Sequence, residues 1–192
     1  MRDDKATLDV LSRKALDLAA KGDLPAAEVL FRALANRQPP EGVYQHNLAV
    51  CLLQQDKLDE ARVLLLKTAS EFPLYSNAHR TLGELFHKLG DHFLAERHLK
   101  LAVKIEPLSA ANNSSLGTIL ISDGRYGEAA IYLMQSLRID PGLVDTWNSL
   151  GIARMQQGKM RSAAIAFKRA LNISPGYANA HSNLGNVYRA LG

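Results

Sequence analysis

Residues 144–177 read VDTWNSLGIARMQQGKMRSAAIAFKRALNISPGY, and this stretch decides the fold. Trp147, Leu150 and Gly151 stand in its first half, Ala163 and Phe167 in its second, and Pro175 near its end. In both halves apolar residues recur at three- and four-residue spacing, the pattern of two amphipathic helices. Gly158 separates the halves, where a glycine can adopt the left-handed conformation that ends a helix. Pro175 then stops the second helix, because it lacks an amide hydrogen and restricts the residue before it.

The same punctuation recurs in one register through the chain. Prolines at 39, 73, 107, 141 and 175 are spaced by 34 residues, and twelve residues before them stand Ala27, Ala61, Ala95, Ala129 and Ala163. With proline as position 32, the repeats are 8–41, 42–75, 76–109, 110–143 and 144–177, followed by a partial sixth, 178–192, and preceded by a polar segment, 1–7. Position 7 is Leu48, Leu82, Leu116, Leu150 or Leu184, and position 8 is always Ala or Gly. A side chain that small lets two helix backbones approach closely, and the alanine of position 20 is read the same way. Gly22, Gly90, Gly124 and Gly158 separate the helices, whereas the second repeat has Asp56, a poorer left-handed residue. Neither helix of a repeat can bury its apolar stripe alone, so the repeats must stack.

In Trp147-x2-Leu150-Gly151, Ala163-x3-Phe167 and Pro175 the chain resembles the tetratricopeptide repeat (TPR) family, over essentially everything after Thr7. The resemblance implies an all-α fold: an α-solenoid of five full helix-turn-helix repeats plus one extra helix, wound as a right-handed superhelix. It also implies a function, a non-catalytic scaffold that holds a peptide or protein segment in a concave groove lined by the first helices. In that family, positions 2, 5, 6, 9, 12 and 13 of the first helix commonly carry the contacts. Here positions 5 and 6 read Ser12-Arg13, His46-Asn47, Arg80-Thr81, Ser114-Ser115, Asn148-Ser149 and Ser182-Asn183, none of them apolar. The candidate partner-binding residues are Asn47, Asn77, Arg80, Glu84, His87, Asn148 and Asn183. An asparagine offers two donors and an acceptor, and Arg80 can pair with a carboxylate. The plainer reading of the same stripe is a solvated helix face. The carboxylate clamp of co-chaperone TPR domains is missing, since Ser12, Leu16, Asn77 and Thr81 stand where it needs bases and an amide. The asparagine ladder of O-GlcNAc transferase arms is matched at position 6 only by Asn47 and Asn183.

Composition sets the remaining expectations. A hydrophobic fraction of 47% is ordinary for a packed protein, and no apolar run approaches the ~20 residues that cross a bilayer. Met1-Arg-Asp-Asp-Lys lacks the apolar core of a secretory signal, and Cys51, the single cysteine, has no disulfide partner in the chain. A cytoplasmic protein without a membrane partner is expected. Of the net charge of +4, residues 144–177 hold Arg154, Lys159, Arg161, Lys168 and Arg169 against Asp145. No aromatic platforms interleave with these bases, so they read as a solvated surface and not as a nucleic-acid site.

His79, His87, His92 and His98 fall in one repeat but lack the spacing that aims two rings at one ion. His79 occupies the position of Trp147 and is expected to pack. No phosphate loop, nucleophile elbow or zinc-protease motif occurs, and no carboxylates are spaced as a catalytic pair. The chain is therefore expected to be no enzyme, with no cofactor and no metal.

Residues 178–192 form a first helix without its second, with an apolar stripe at Leu184, Val187, Tyr188 and Leu191. Two explanations are open. In one, the protein extends past Gly192 into further repeats or an enzyme domain of glycosyltransferase or sulfotransferase type, for which this chain is the substrate-recruiting arm. In the other, two chains associate end to end through the 178–192 helix.

Overall fold

The computed structural model describes residues 2–37 and 41–192, with side chains from Thr7 onward; Pro39 lies outside the described residues. Among the described residues there are eleven α-helices and no strand. They are α1 (Arg2–Ala20), α2 (Leu24–Ala35), α3 (Gly42–Gln54), α4 (Leu58–Glu71), α5 (Ser76–Lys88) and α6 (His92–Ile105). Then come α7 (Ala110–Ser122), α8 (Tyr126–Ile139), α9 (Val144–Gln156), α10 (Met160–Ile173) and α11 (Ala178–Leu191). The segment expected to precede the repeats is itself helical from Arg2, as the start of a long α1. The chain forms two compact units, Met1–Leu85 and Phe86–Gly192, with the boundary inside α5.

In the first unit α1 packs on α2, α2 on α3 and α3 on α4. Its core joins Leu8 and Ala15 to Phe31 and Leu34, and these to Leu48, Leu52 and Ala61. In the second unit each helix from α6 to α11 packs on its successor. The first helices α7, α9 and α11 also touch one another, whereas α8 and α10 are in no comparable contact. Ala163, Phe167, Ala170, Ala180 and Val187 are buried at the end of this unit, with Trp147, Met155 and Leu184 packed against them. Burial of each large side chain contributes roughly 1.5–3 kcal/mol.

The turns between paired helices follow one local rule. After α7, Arg125 N–H donates to the Leu120 carbonyl at 2.8 Å and Gly124 N–H to Ile121 at 3.0 Å, with Gly124 at φ 74. This double bond pattern satisfies the last carbonyls of a helix and requires a left-handed residue at its centre. After α3 the same pair runs from Lys57 to Leu52 and from Asp56 to Leu53, and Asp56 is forced to φ 59. At Gly117, position 8 of its repeat, the small residue is required by a close approach. A Cβ on Gly117 would lie 2.6 Å from Leu133 Cγ and 3.2 Å from the Ala129 carbonyl oxygen.

Proline does more than stop the second helix. The helices α4, α6, α8 and α10 end two residues before Pro73, Pro107, Pro141 and Pro175. Each of these prolines accepts a hydrogen bond on its carbonyl from position 4 of the next first helix. The donors are His79 Nε2 (3.1 Å), Asn113 Nδ2 (2.9 Å), Trp147 Nε1 (2.9 Å) and His181 Nε2 (2.7 Å). His79 is buried, as its packing position implied, and it also ties two successive repeats together.

Candidate functional site

In the first unit the polar side chains of α3 and α5 meet. His46 Nε2 and Thr81 Oγ1 share a buried hydrogen bond of 2.9 Å, and the His46 ring stands edge-on to Tyr75 with centroids 5.6 Å apart. Burial pushes the His46 imidazole down to about 4, and the positive charge of Arg80 acts in the same direction. The ring is therefore neutral around pH 7. Arg80 is half-buried on α5 and donates from Nη1 to Glu84 Oε1 at 2.8 Å. Its Nε is buried and meets no hydrogen-bond partner among the described residues. Asn47 and Asn77 are both half-buried, on α3 and at the start of α5.

In the second unit Asn183 Nδ2 of α11 donates to Asn148 Oδ1 of α9 at 3.0 Å. Asn148 is buried and Asn183 half-buried. Between α7 and α9, Ser114 and Thr146 share a bond of 2.8 Å. His87, at the end of α5, lies 3.5 Å from Ser122 Oγ, and its ring is edge-on to His92 at 5.4 Å. His92 Nδ1 in turn lies 3.0 Å from Asp123 Oδ1. Despite this gathering, no three His, Cys, Asp or Glu side chains among the described residues could hold a metal ion.

The contacts His46–Thr81, His87–Ser122 and Asn148–Asn183 are each 35 residues apart, one repeat plus one residue. Neighbouring first helices therefore lie side by side with a fixed slide. The polar residues of positions 5 and 6, read from sequence as partner-facing, also bond one first helix to the next. Complementary polar pairs at an offset of 35 were the signal that could have revealed this.

A second recurrent link joins repeats on the other helices. Lys57 Nζ meets Glu28 Oε2 at 2.7 Å, and 29 residues likewise separate Glu96 from Arg125, 2.6 Å apart. Hydrogen bonding from Lys57, aided by Arg32 and Gln55, holds the Glu28 carboxyl down to about 2 against the opposing effect of burial. Cys51 is buried, and burial pushes its thiol up, which leaves it a poor nucleophile.

Family models described as tetratricopeptide repeat match residues 12–75 and 112–143, and one described as TPR repeat matches 153–192. The chain belongs to the tetratricopeptide repeat family. Its eleven TPR helices, counted among the described residues, have the α-solenoid fold of solved relatives. The thermophilic TPR protein TTC0263 of Thermus thermophilus is 19% identical, with a TM-score of 0.78 over 95% of this chain and 99% of that one. YrrB, described as a TPR protein with an unusual peptide-binding site, is 18% identical, with a TM-score of 0.68 over 90% and 89%. A chain of the APC/C hetero-tetramer Cut9–Hcn1 is 23% identical, with a TM-score of 0.80 over 95% of this TPR chain but 36% of its own length. At these identities the likeness is one of fold. No curated protein matches the TPR chain in sequence. No helix among the described residues is long and apolar enough to cross a membrane.

Proposed function

We propose that the protein is a non-catalytic, cytoplasmic scaffold that binds a peptide or protein segment on the polar faces of its first helices. In the first unit the contacts are Asn47, Asn77, Arg80 and Glu84; in the second they are His87, Asn148 and Asn183. The observation that carries this reading is Arg80, whose Nε is buried and meets no hydrogen-bond partner among the described residues while Nη1 is held by Glu84. An unsatisfied buried donor costs about 1–3 kcal/mol, and a carbonyl or carboxylate oxygen of a bound segment would recover it. Asn148 and Asn183 use one amide oxygen and one amide nitrogen on each other, which leaves the other ends of both amides to a peptide backbone. The peptide-binding site named for the fold neighbour YrrB is consistent with such a role.

The test is a displayed-peptide selection on the wild-type chain, followed by affinity measurement of the selected peptide. Arg80→Ala should weaken it by about tenfold or more, since a charge-assisted hydrogen bond is lost. Equal affinity for wild type, Arg80→Ala and Asn183→Ala would remove the assignment.

A further inference from the structure

The second unit carries an apolar trough of about 520 Å³ on a face separate from its first-helix amides. Met134 and Leu137 of α8 form one wall, Ile165 of α10 the other, and Trp147 and Leu150 of α9 the floor. The two walls belong to second helices that are not in close contact, so the trough opens to solvent between them. Ile165 is 62% exposed and Met134 38%.

The first unit holds the same place in the repeat, between α2, α3 and α4, and there the trough is narrower and bridged. Arg32 on α2 reaches Glu60 on α4 at 2.5 Å, and the cavity shrinks to about 240 Å³. Arg32 and Glu60 sit 102 residues, or three repeats, before Met134 and Ser162. The second unit has thus replaced a bridging ion pair with a thioether and a small hydroxyl, and has put Trp147 where the first has Gln45.

Charge at the rim is equally specific. Arg138 and Arg154 line the trough, and no acidic side chain does. Arg154 touches Met134 Sδ at 3.0 Å and Gln157 Oε1 at 3.3 Å, neither of them a carboxylate. Among the described residues neither guanidinium is in an ion pair, whereas Arg32, Arg62, Arg80 and Arg125 all are. An apolar slot between two helices accepts a third helix by its aliphatic row, and the unpaired guanidiniums call for carboxylates beside that row. The geometry points to a docking site for a short acidic amphipathic helix of a partner protein in the α8–α9–α10 trough.

Trp147 is the single tryptophan of the chain and forms the floor, so its emission reports occupancy. The probe is a synthetic amphipathic helix of about 16 residues with leucines at i, i+3, i+4 and i+7 flanked by glutamates, beside a twin with lysines for glutamates. The glutamate probe should shift Trp147 emission saturably, and the lysine twin should bind about tenfold more weakly or worse. Met134→Arg with Ser162→Glu rebuilds the bridging ion pair of the first unit. It should abolish the response while circular dichroism and melting temperature stay those of wild type. Arg138→Glu with Arg154→Glu should weaken the glutamate probe by about tenfold and favour the lysine twin. Arg80→Ala should leave the response intact, which separates this site from the first-helix face. The proposal is overturned if the glutamate probe gives no saturable shift, or if wild type and both double variants respond alike. Saturation by a single-stranded oligonucleotide of about 20 nucleotides in place of the peptide overturns it too.

Discussion

Asn183 on α11 gives an amide hydrogen to Asn148 on α9, and the acceptor is the more deeply buried of the two. Removing the donor leaves a buried carbonyl unpaired; removing the acceptor leaves a half-exposed amide that water can serve. Asn183→Ala should therefore cost about 1–3 kcal/mol, and Asn148→Ala less. The double variant should cost little more than Asn183→Ala alone, a coupling of about 0.5–1.5 kcal/mol. Urea unfolding of the four proteins measures it, and strict additivity would show that the bond contributes nothing.

His46 makes the fold sensitive to mild acid. Its folded value, about 4, lies below the ordinary 6.5, so between these values the unfolded chain takes up the proton first. The stability this ring secures is present above pH 6.5 and is lost as the pH falls through 6.5 towards 4, by on the order of 3 kcal/mol at most. Glu28, lowered from 4.5 to about 2, adds a second loss as the pH falls from 4.5 towards 2. Unfolding free energies at pH 7.5, 5.5 and 4.5 should show a slope that His46→Gln flattens; an unchanged slope in that variant counts against the assignment.

Asp56→Gly should stabilise the protein by about 0.5–1 kcal/mol, since Asp56 holds φ 59 where the equivalent turns have glycine. The melting temperature reads this directly. A decrease would mean that the carboxylate contributes more than the backbone loses.

Two glycines at the same repeat position should respond oppositely to alanine. A Cβ on Gly151 would overlap the Phe167 ring, whereas one on Gly185 meets nothing within 4 Å. Gly151→Ala should cost about 1–3 kcal/mol through forced repacking, and Gly185→Ala should be neutral or stabilising by up to about 1 kcal/mol. Thermal melts of the two variants test the contrast.

Helix ends and turns were legible in the sequence because they are local chemistry: Gly124 and Gly158 enable a left-handed turn, and Pro141 and Pro175 withhold an amide hydrogen. Even the odd residue, Asp56, was placed correctly at its turn from the frame alone. What escaped was contact between repeats. That Asn148 answers Asn183, or His46 answers Thr81, depends on the slide of one first helix against the next, which no 34-residue frame contains. His79 was read as a packed side chain because its place matches Trp147, yet what the two share is an N–H aimed at a proline carbonyl. The open trough was equally hidden. Met134 and Ser162 mean nothing until α8 and α10 are known to face each other across α9.

The proline carbonyls give this pattern a further meaning. Two histidines, an asparagine and a tryptophan differ widely in volume and shape, yet each closes the same joint between one repeat and the next. What the joint demands is a hydrogen on nitrogen at the right reach, not a particular amino acid. Repeats can thus differ in spelling while these joints stay closed, and a search for a fixed letter there would miss the grammar they share.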